Sequence, residues 1–271
     1  MLKRYIILTL SAVVLTAGVF GQENLFKSQV KNLPNYDYDP LHFGFVLALN
    51  QMHFTINPVD DLHMRTFEER QATDVNQNLP YNVDRMEVLG INYQPEYGFT
   101  VGIVGDLRLG QYYDLRFIPS LSFGERVIDY KVNALDYEGD NIVRDSIINM
   151  DKRIPSTYID FPLMVKYKSK RYNNVRGYLI GGVKYSMDLA SLSDARQEEE
   201  SPNNILVKLK RHDFAFEIGV GFDYYLSFFK FGTEIKMSYS PVDPLDREGN
   251  MYTESIGNLS SKYFQLSFTF E

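Results

Sequence analysis

Between residues 42 and 271 the chain repeats one pattern, stretches in which apolar and polar residues alternate. They fall near 42–50, 97–109, 112–125, 155–168, 175–188, 212–226, 229–240 and 262–271. A period of two belongs to a strand with two unlike faces. The gaps between the stretches alternate in length. Residues 51–96, 126–154, 189–211 and 241–261 make long gaps, and 110–111, 169–174 and 227–228 make short ones. An up-and-down antiparallel barrel in an outer membrane produces this rhythm, with long loops outside and tight turns in the periplasm. The expected fold is therefore all-β, an eight-stranded antiparallel up-and-down transmembrane β-barrel of the outer-membrane type, without a soluble core.

The two faces differ in kind. In the last stretch Phe264, Leu266, Phe268 and Phe270 share one face, and Tyr263, Gln265, Ser267 and Thr269 share the other. Near 212–226 Phe214, Phe216, Ile218, Val220 and Phe222 alternate with Ala215, Glu217, Gly219, Gly221 and Asp223. A soluble sandwich also alternates, but its apolar face packs against a second sheet. Here the apolar face is rich in Phe and Tyr, as a lipid-facing belt is, and the other face carries Gly and charge. Pro119 and Pro162 each remove a ladder donor and are expected to mark bulges.

The inward face collects charge of both signs. Its acids are Asp106, Asp114, Asp160, Asp188, Glu217, Asp223 and Glu234. Its bases are Arg108, Arg116, Lys166, Lys168, Arg176, Lys184, Lys230 and Lys236. About eight strands leave a lumen that side chains fill, and an unpaired buried charge is costly. These residues are expected to form an internal charge network that plugs the barrel.

The 271 residues are used up by eight strands and their connections, so one domain is expected. The formal charge of −7 and the lack of a basic block argue against a nucleic-acid partner. Cysteine is absent, which excludes disulfides and thiolate metal sites. Lys3 and Arg4 precede an apolar run from Tyr5 to about Phe20, followed by Gly21. Residues 1–21 thus read as a signal peptide, too short for a spanning helix. Residues 22–41 form a lead-in, placed in the periplasm because an even strand number puts both mature ends there. Turn-rich around Pro34 and Pro40, it is expected to be a tether, with a docking strand or plug as the alternative.

Candidate chemistry is sparse, and neither a metal nor another cofactor is expected. Asp60, Asp61 and His63 are contiguous without regular ligand spacing. Asp136, Glu138, Asp140 and Asn141 flank Gly139 between two short alternating runs, Tyr130–Leu135 and Ile142–Ile147, which reads as a hairpin tip. Glu198, Glu199 and Glu200 precede a polar loop, and Glu248–Gly249–Asn250 reads as a turn. Of the four His, His42 lies at the periplasmic end, and His53 and His63 lie in the first loop. His212 and Asp213 are adjacent on a strand and point to opposite faces, so they form no dyad. The chain is expected not to be an enzyme.

The segment Asn35, Tyr36, Asp37, Tyr38, Asp39, Pro40, Leu41, His42, Phe43, Gly44, Phe45, followed by Leu49–Asn50–Gln51–Met52 and Phe54, resembles the start of PorT proteins, called SprT in gliding bacteria. The runs Leu89–Phe99 and Arg116–Pro119, with Tyr158, Pro162 and Leu163, are similar to the same family. The resemblance covers most of the mature chain. It implies a Bacteroidota outer-membrane barrel required by type IX secretion, the export route for cargo bearing a C-terminal sorting domain, and for gliding motility where that occurs. It implies no catalytic residue. The implied surroundings are outer-membrane lipid and other secretion components. Such barrels usually end in an aromatic residue, whereas here Phe270 is penultimate and Glu271 is last. Two other classes remain open. One is a surface-binding, adhesin-like barrel using its loops. The other is an outer-membrane hydrolase using His212, His53 or His63.

Overall fold

The structure is a computed structural model, and it describes residues 30–68, 83–138, 141–189, 207–247 and 249–271. Residues 1–21 therefore lie outside the described residues, as do Asp140, Glu198–Asn204 and Glu248. Ten strands run in chain order: β1 (Leu41–Pro58), β2 (Thr66–Glu68), β3 (Arg85–Arg108), β4 (Tyr113–Phe117), β5 (Ser120–Glu138), β6 (Asn141–Lys168), β7 (Val175–Asp188), β8 (His212–Tyr225), β9 (Lys230–Ser240) and β10 (Ile256–Phe270).

Every pairing is antiparallel, and the sheet closes on itself. β10 pairs with β9, β9 with β8, β8 with β7 and β7 with β6. β4 and β5 both pair with β6 and with β3, so together they make one stave broken at Ile118 and Pro119. β3 pairs with β1, and β1 pairs with β10 from Phe45↔Phe270 to Pro58↔Ile256. β2 is a flap on the far tip of β3. Eight staves remain in the ring. Closure satisfies the backbone in lipid, because a closed ring has no edge.

Pro119 interrupts its stave, whereas Pro162 sits inside β6 opposite Lys184, where its carbonyl accepts from the Ile118 amide at 3.3 Å. Between the two rims the outward side chains are exposed and apolar, among them Phe43, Ile103, Val165, Leu179, Phe216 and Ile235. The inward ones are buried and mostly polar. This is the lipid belt and lumen of an outer-membrane barrel.

Several strands run further than the alternation near the belt suggested. β1 continues to Pro58, β3 starts at Arg85 and β10 starts at Ile256. The expected long loop over 126–154 is instead strand, and β5 and β6 pair with each other out to Glu138↔Asn141. Three long connections remain at that end, not four.

The physical reason is an inversion of phase. Within the belt polar residues point inward. Beyond it, Ile128, Tyr130, Val132 and Ala134 of β5 are buried, while the less buried Asp129, Lys131 and Asn133 alternate with them. Water now lies outside the strands, so apolar residues turn in. With Met86, Val88, Phe54 and Met251 they build an apolar core beyond the membrane, which corrects the expectation that no soluble core exists.

Candidate functional site: a filled lumen with two caps

The lumen is built by inward positions whose carriers are fixed by register. Arg116 on β4 lies opposite Asp106 on β3 and is wholly buried. Its guanidinium reaches Asp106 and Glu271 at 2.7 Å each and Glu234 at 3.7 Å. Lys166 holds Asp223 at 2.7 Å and lies 3.8 Å from the centre of the Tyr178 ring. Lys168 holds Asp114 at 2.6 Å, Lys230 holds Glu271 at 2.7 Å, and Lys184 holds Glu217 at 3.2 Å. Lys236 reaches Glu234 at 3.4 Å on its own strand. A planar guanidinium between two carboxylates forms strong charge-assisted bonds in a dry setting.

Two of the expected lumen residues lie at its mouth. Arg108 sits at the rim, half-buried, and donates to the carbonyls of Gly110 and Tyr38 at 3.2 Å each. Arg176 lies at the mouth and clasps Asp37 of the lead-in through two bonds of 2.9 and 3.0 Å. Asp160 meets hydroxyls, accepting from Ser122 and Ser186 at 2.5 Å each. Beside it Thr100 links Asn50, Ser122 and Tyr263. Gly221 makes room in the wall. A β-carbon there would lie 2.5 Å from the Tyr178 hydroxyl, which donates to Glu234 at 2.9 Å.

Sequence reasoning missed Glu271, Asp37, Tyr178 and Arg126 as parts of this network. Glu271 had a signal, because it continues the inward phase of Gln265, Ser267 and Thr269. Asp37 had none, since the lead-in has no period and its partner lies 139 residues away.

The end that carries residues 30–41 and the C-terminus is capped by the lead-in, which is packed across the mouth and is not a tether over its described part. Tyr36–Tyr38 form a short 3-10 turn. Tyr36 stacks on His42 at 3.9 Å and donates to Glu271 at 3.3 Å. Its carbonyl lies 2.8 Å from the His42 Nε2. Asp37 also accepts from the Tyr225 hydroxyl at 3.0 Å. Burial works against the Asp37 charge, but Arg176, Tyr225 and Arg171 outweigh it and hold the carboxyl below its usual range. Asn32 bonds Asn174 and the Tyr225 carbonyl, and Arg171 donates to the carbonyls of Leu33 and Asn32. The Pro40 carbonyl accepts from the Arg108 amide at 2.8 Å. The motif over residues 35–44 thus supplies most of this cap, while Asp39 stays exposed and Phe43 faces outward.

The far end is closed by the apolar core. Its lid is the connection from β9 to β10, with the helical turn Met251–Glu254 capped by Asn250, which accepts from the Thr253 amide at 2.9 Å. Gly249 before it has φ +77°, a turn conformation suited to glycine. Tyr252 packs edge-on against Tyr130 at 4.9 Å, and Tyr130 donates to its carbonyl at 3.2 Å. Between this core and the lumen lies Arg126, sandwiched by Phe54 at 4.5 Å and Tyr158 at 5.3 Å.

Several of the remaining candidates have partners of their own. His212 Nδ1 lies 2.7 Å from the Tyr185 hydroxyl, while Asp213 accepts from Ser240 on the other face. His53 packs edge-on against Tyr93 at 4.4 Å. Asp61 pairs with Arg65 at 2.9 Å.

The sequence profile of the outer membrane protein beta-barrel domain family matches residues 28–241. The chain belongs to that family. It is an outer-membrane protein, and the assignment rests on that match and on the closed ring of eight staves. Among curated proteins none matches it in sequence. Among solved structures, the neisserial surface protein A is 10% identical with a TM-score of 0.38, covering 85% of this chain and 98% of that one. The N-terminal β-barrel domain of Pseudomonas aeruginosa OprF is 11% identical with a TM-score of 0.28, covering 84% and 96%.

Proposed function

We propose that this outer-membrane barrel is a non-catalytic component of type IX secretion that supports export of sorting-domain cargo without conducting it. The observation that carries the non-conducting part is the filled lumen, where Arg116, Lys166, Lys184 and Lys230 each sit on a carboxylate. The secretion part leans on the resemblance to PorT and SprT proteins over residues 35–54. In that reading the terminal end faces the periplasm. The lead-in, the turns near it and the lipid-facing aromatics are then the surfaces available to other secretion components.

The experiment is a clean deletion with complementation, followed by fractionation for sorting-domain cargo. Cargo held in the periplasm and released on complementation is the expected result. Cargo that still reaches the surface removes the secretion role. It would leave the second reading, a surface-binding barrel, which is favoured by one observation. The strands continue beyond the belt around an apolar core, giving a rigid platform outside the membrane.

A further inference from the structure

The outward positions around the closure between β1 and β10 line up in rows. Ile235, Leu266 and Leu49 make one row, and Met237, Phe264, Gln51 and Tyr97 make the next. Tyr239, Lys262 and His53 make the third, two residues further along each strand. The first two rows frame an open apolar groove of about 340 Å³, lined chiefly by Leu49, Gln51, Tyr97, Ile235, Phe264 and Leu266. The third row lies about 7 Å further along the strands and changes character. It is two aromatic or imidazole rings flanking an ammonium.

Its height along the membrane normal explains the change. From Leu41 at the rim, β1 reaches His53 about 40 Å along the strand, which is about 28 Å along the normal at a tilt of ~45°. The apolar band of such barrels is about 25 Å tall. The groove therefore ends inside the hydrocarbon, and Lys262 stands at the level of lipid headgroups. Among the described residues Lys262 has no ion-pair partner, whereas Arg153, also outward at this end, is held by Glu125 at 3.2 Å.

We propose that this face binds one phosphate-bearing acyl lipid of the leaflet at the far end, a lipid with the chemistry of lipid A. An acyl chain lies in the groove, and its phosphate meets Lys262, with His53 and Tyr239 on either side. Charge complementarity selects this occupant. An apolar groove alone would take any chain, but a cation at its mouth, at headgroup level, favours an anionic head. The proposal depends on the barrel's place in the membrane and not on a role in secretion, so a failed cargo assay leaves it standing.

The test is native mass spectrometry of the purified full-length barrel, released from micelles containing lipid A or its dephosphorylated form. Wild-type protein is expected to retain one lipid A. Lys262→Gln should lower that retention about fivefold, the size of one lysine's attraction to an anionic surface, and removal of the phosphates from the lipid should lower it as much. Arg211→Gln, a cation at the same rim away from the groove, should leave retention unchanged. Heat-modifiable migration verifies that each variant is folded, and the dephosphorylated lipid tests the wild type without any variant. Equal retention of both lipids, equal retention by Lys262→Gln, or an equal loss in Arg211→Gln overturns the proposal.

Discussion

At the scale of single residues the lumen is decided by who shares a carboxylate. Arg116 holds Asp106 and Glu271 together, and all three are buried. Replacing it by Ala leaves two acids without their shared cation in a dry space. Removing one partner of a buried pair costs about 3–5 kcal/mol. Arg116→Ala should therefore lower the urea midpoint for loss of heat-modifiable migration by that equivalent. No change in the midpoint would mean that water enters and screens the acids. Asp37 is the residue-scale switch of the cap. Its folded pKa is lowered, so its stabilising effect is complete above the ordinary carboxylate range, near pH 4, and is lost as pH falls through the lower folded value. Protease cleavage within residues 30–40 should be slow at pH 7 and speed up in acid-exposed samples probed by an acid-active protease. Asp37→Asn should show the fast cleavage at pH 7. Equal cleavage of both proteins would show that the cap is held by Tyr36 and Asn32 instead.

At the scale of elements, β3, β5 and β6 each serve two solvents. Their membrane halves present apolar residues to lipid, and their far halves present mostly polar residues to water around the apolar core, with Ile142, Val143 and Ile147 of β6 also exposed there. Ile128 is wholly buried in that core. Ile128→Ala should cost the extension about 2–5 kcal/mol, the usual range for such a core truncation. The expected signature is local. Amide exchange should quicken over 85–95 and 124–138, while exchange in β8 and β9 within the belt stays slow. Uniform quickening would mean that extension and belt unfold as one unit. The inversion itself was readable. The run Tyr130–Leu135 carries the period with its apolar phase opposed to that of the belt, and so it read as part of a hairpin tip, whereas Ile142, Val143 and Ile147 across from it stay exposed. Period alone does not say which side is wet, and that depends on where the membrane stops.

At the scale of the whole molecule, eight staves, a salt-bridged lumen and two caps predict a protein that does not conduct. Purified protein in a planar bilayer should show no stable steps, and removal of residues 22–40 should not create them, since Arg116, Lys166 and Lys230 still fill the bore. Steady single-channel openings in either form would contradict the closed lumen. How far the molecule was legible follows from the range of each signal. The alternation is local, because successive side chains of a strand point to opposite faces wherever the strand lies. Eight staves, their lipid and lumen faces and their antiparallel order therefore came from the amino-acid sequence alone, and β7 at 175–188 matched to the residue. Asp106, Arg116, Lys166 and Glu217 were assigned to the lumen in the same way. Which charge meets which did not follow. Arg116 and Glu271 are 155 residues apart, and Arg176 and Asp37 are 139 apart. Such meetings depend on strand register, tilt and closure of the ring between β1 and β10. The lead-in offered no period to read, and only the mouth of the closed barrel, with Arg176, Tyr225 and Glu271 brought to one rim, gave it something to pack on. The staves and their faces were legible in the order of residues, because those are properties of neighbours in the chain. The tertiary structure alone decided the ion pairs, the cap and the reach of the strands past the membrane, because those depend on surroundings that neighbours in the chain do not encode.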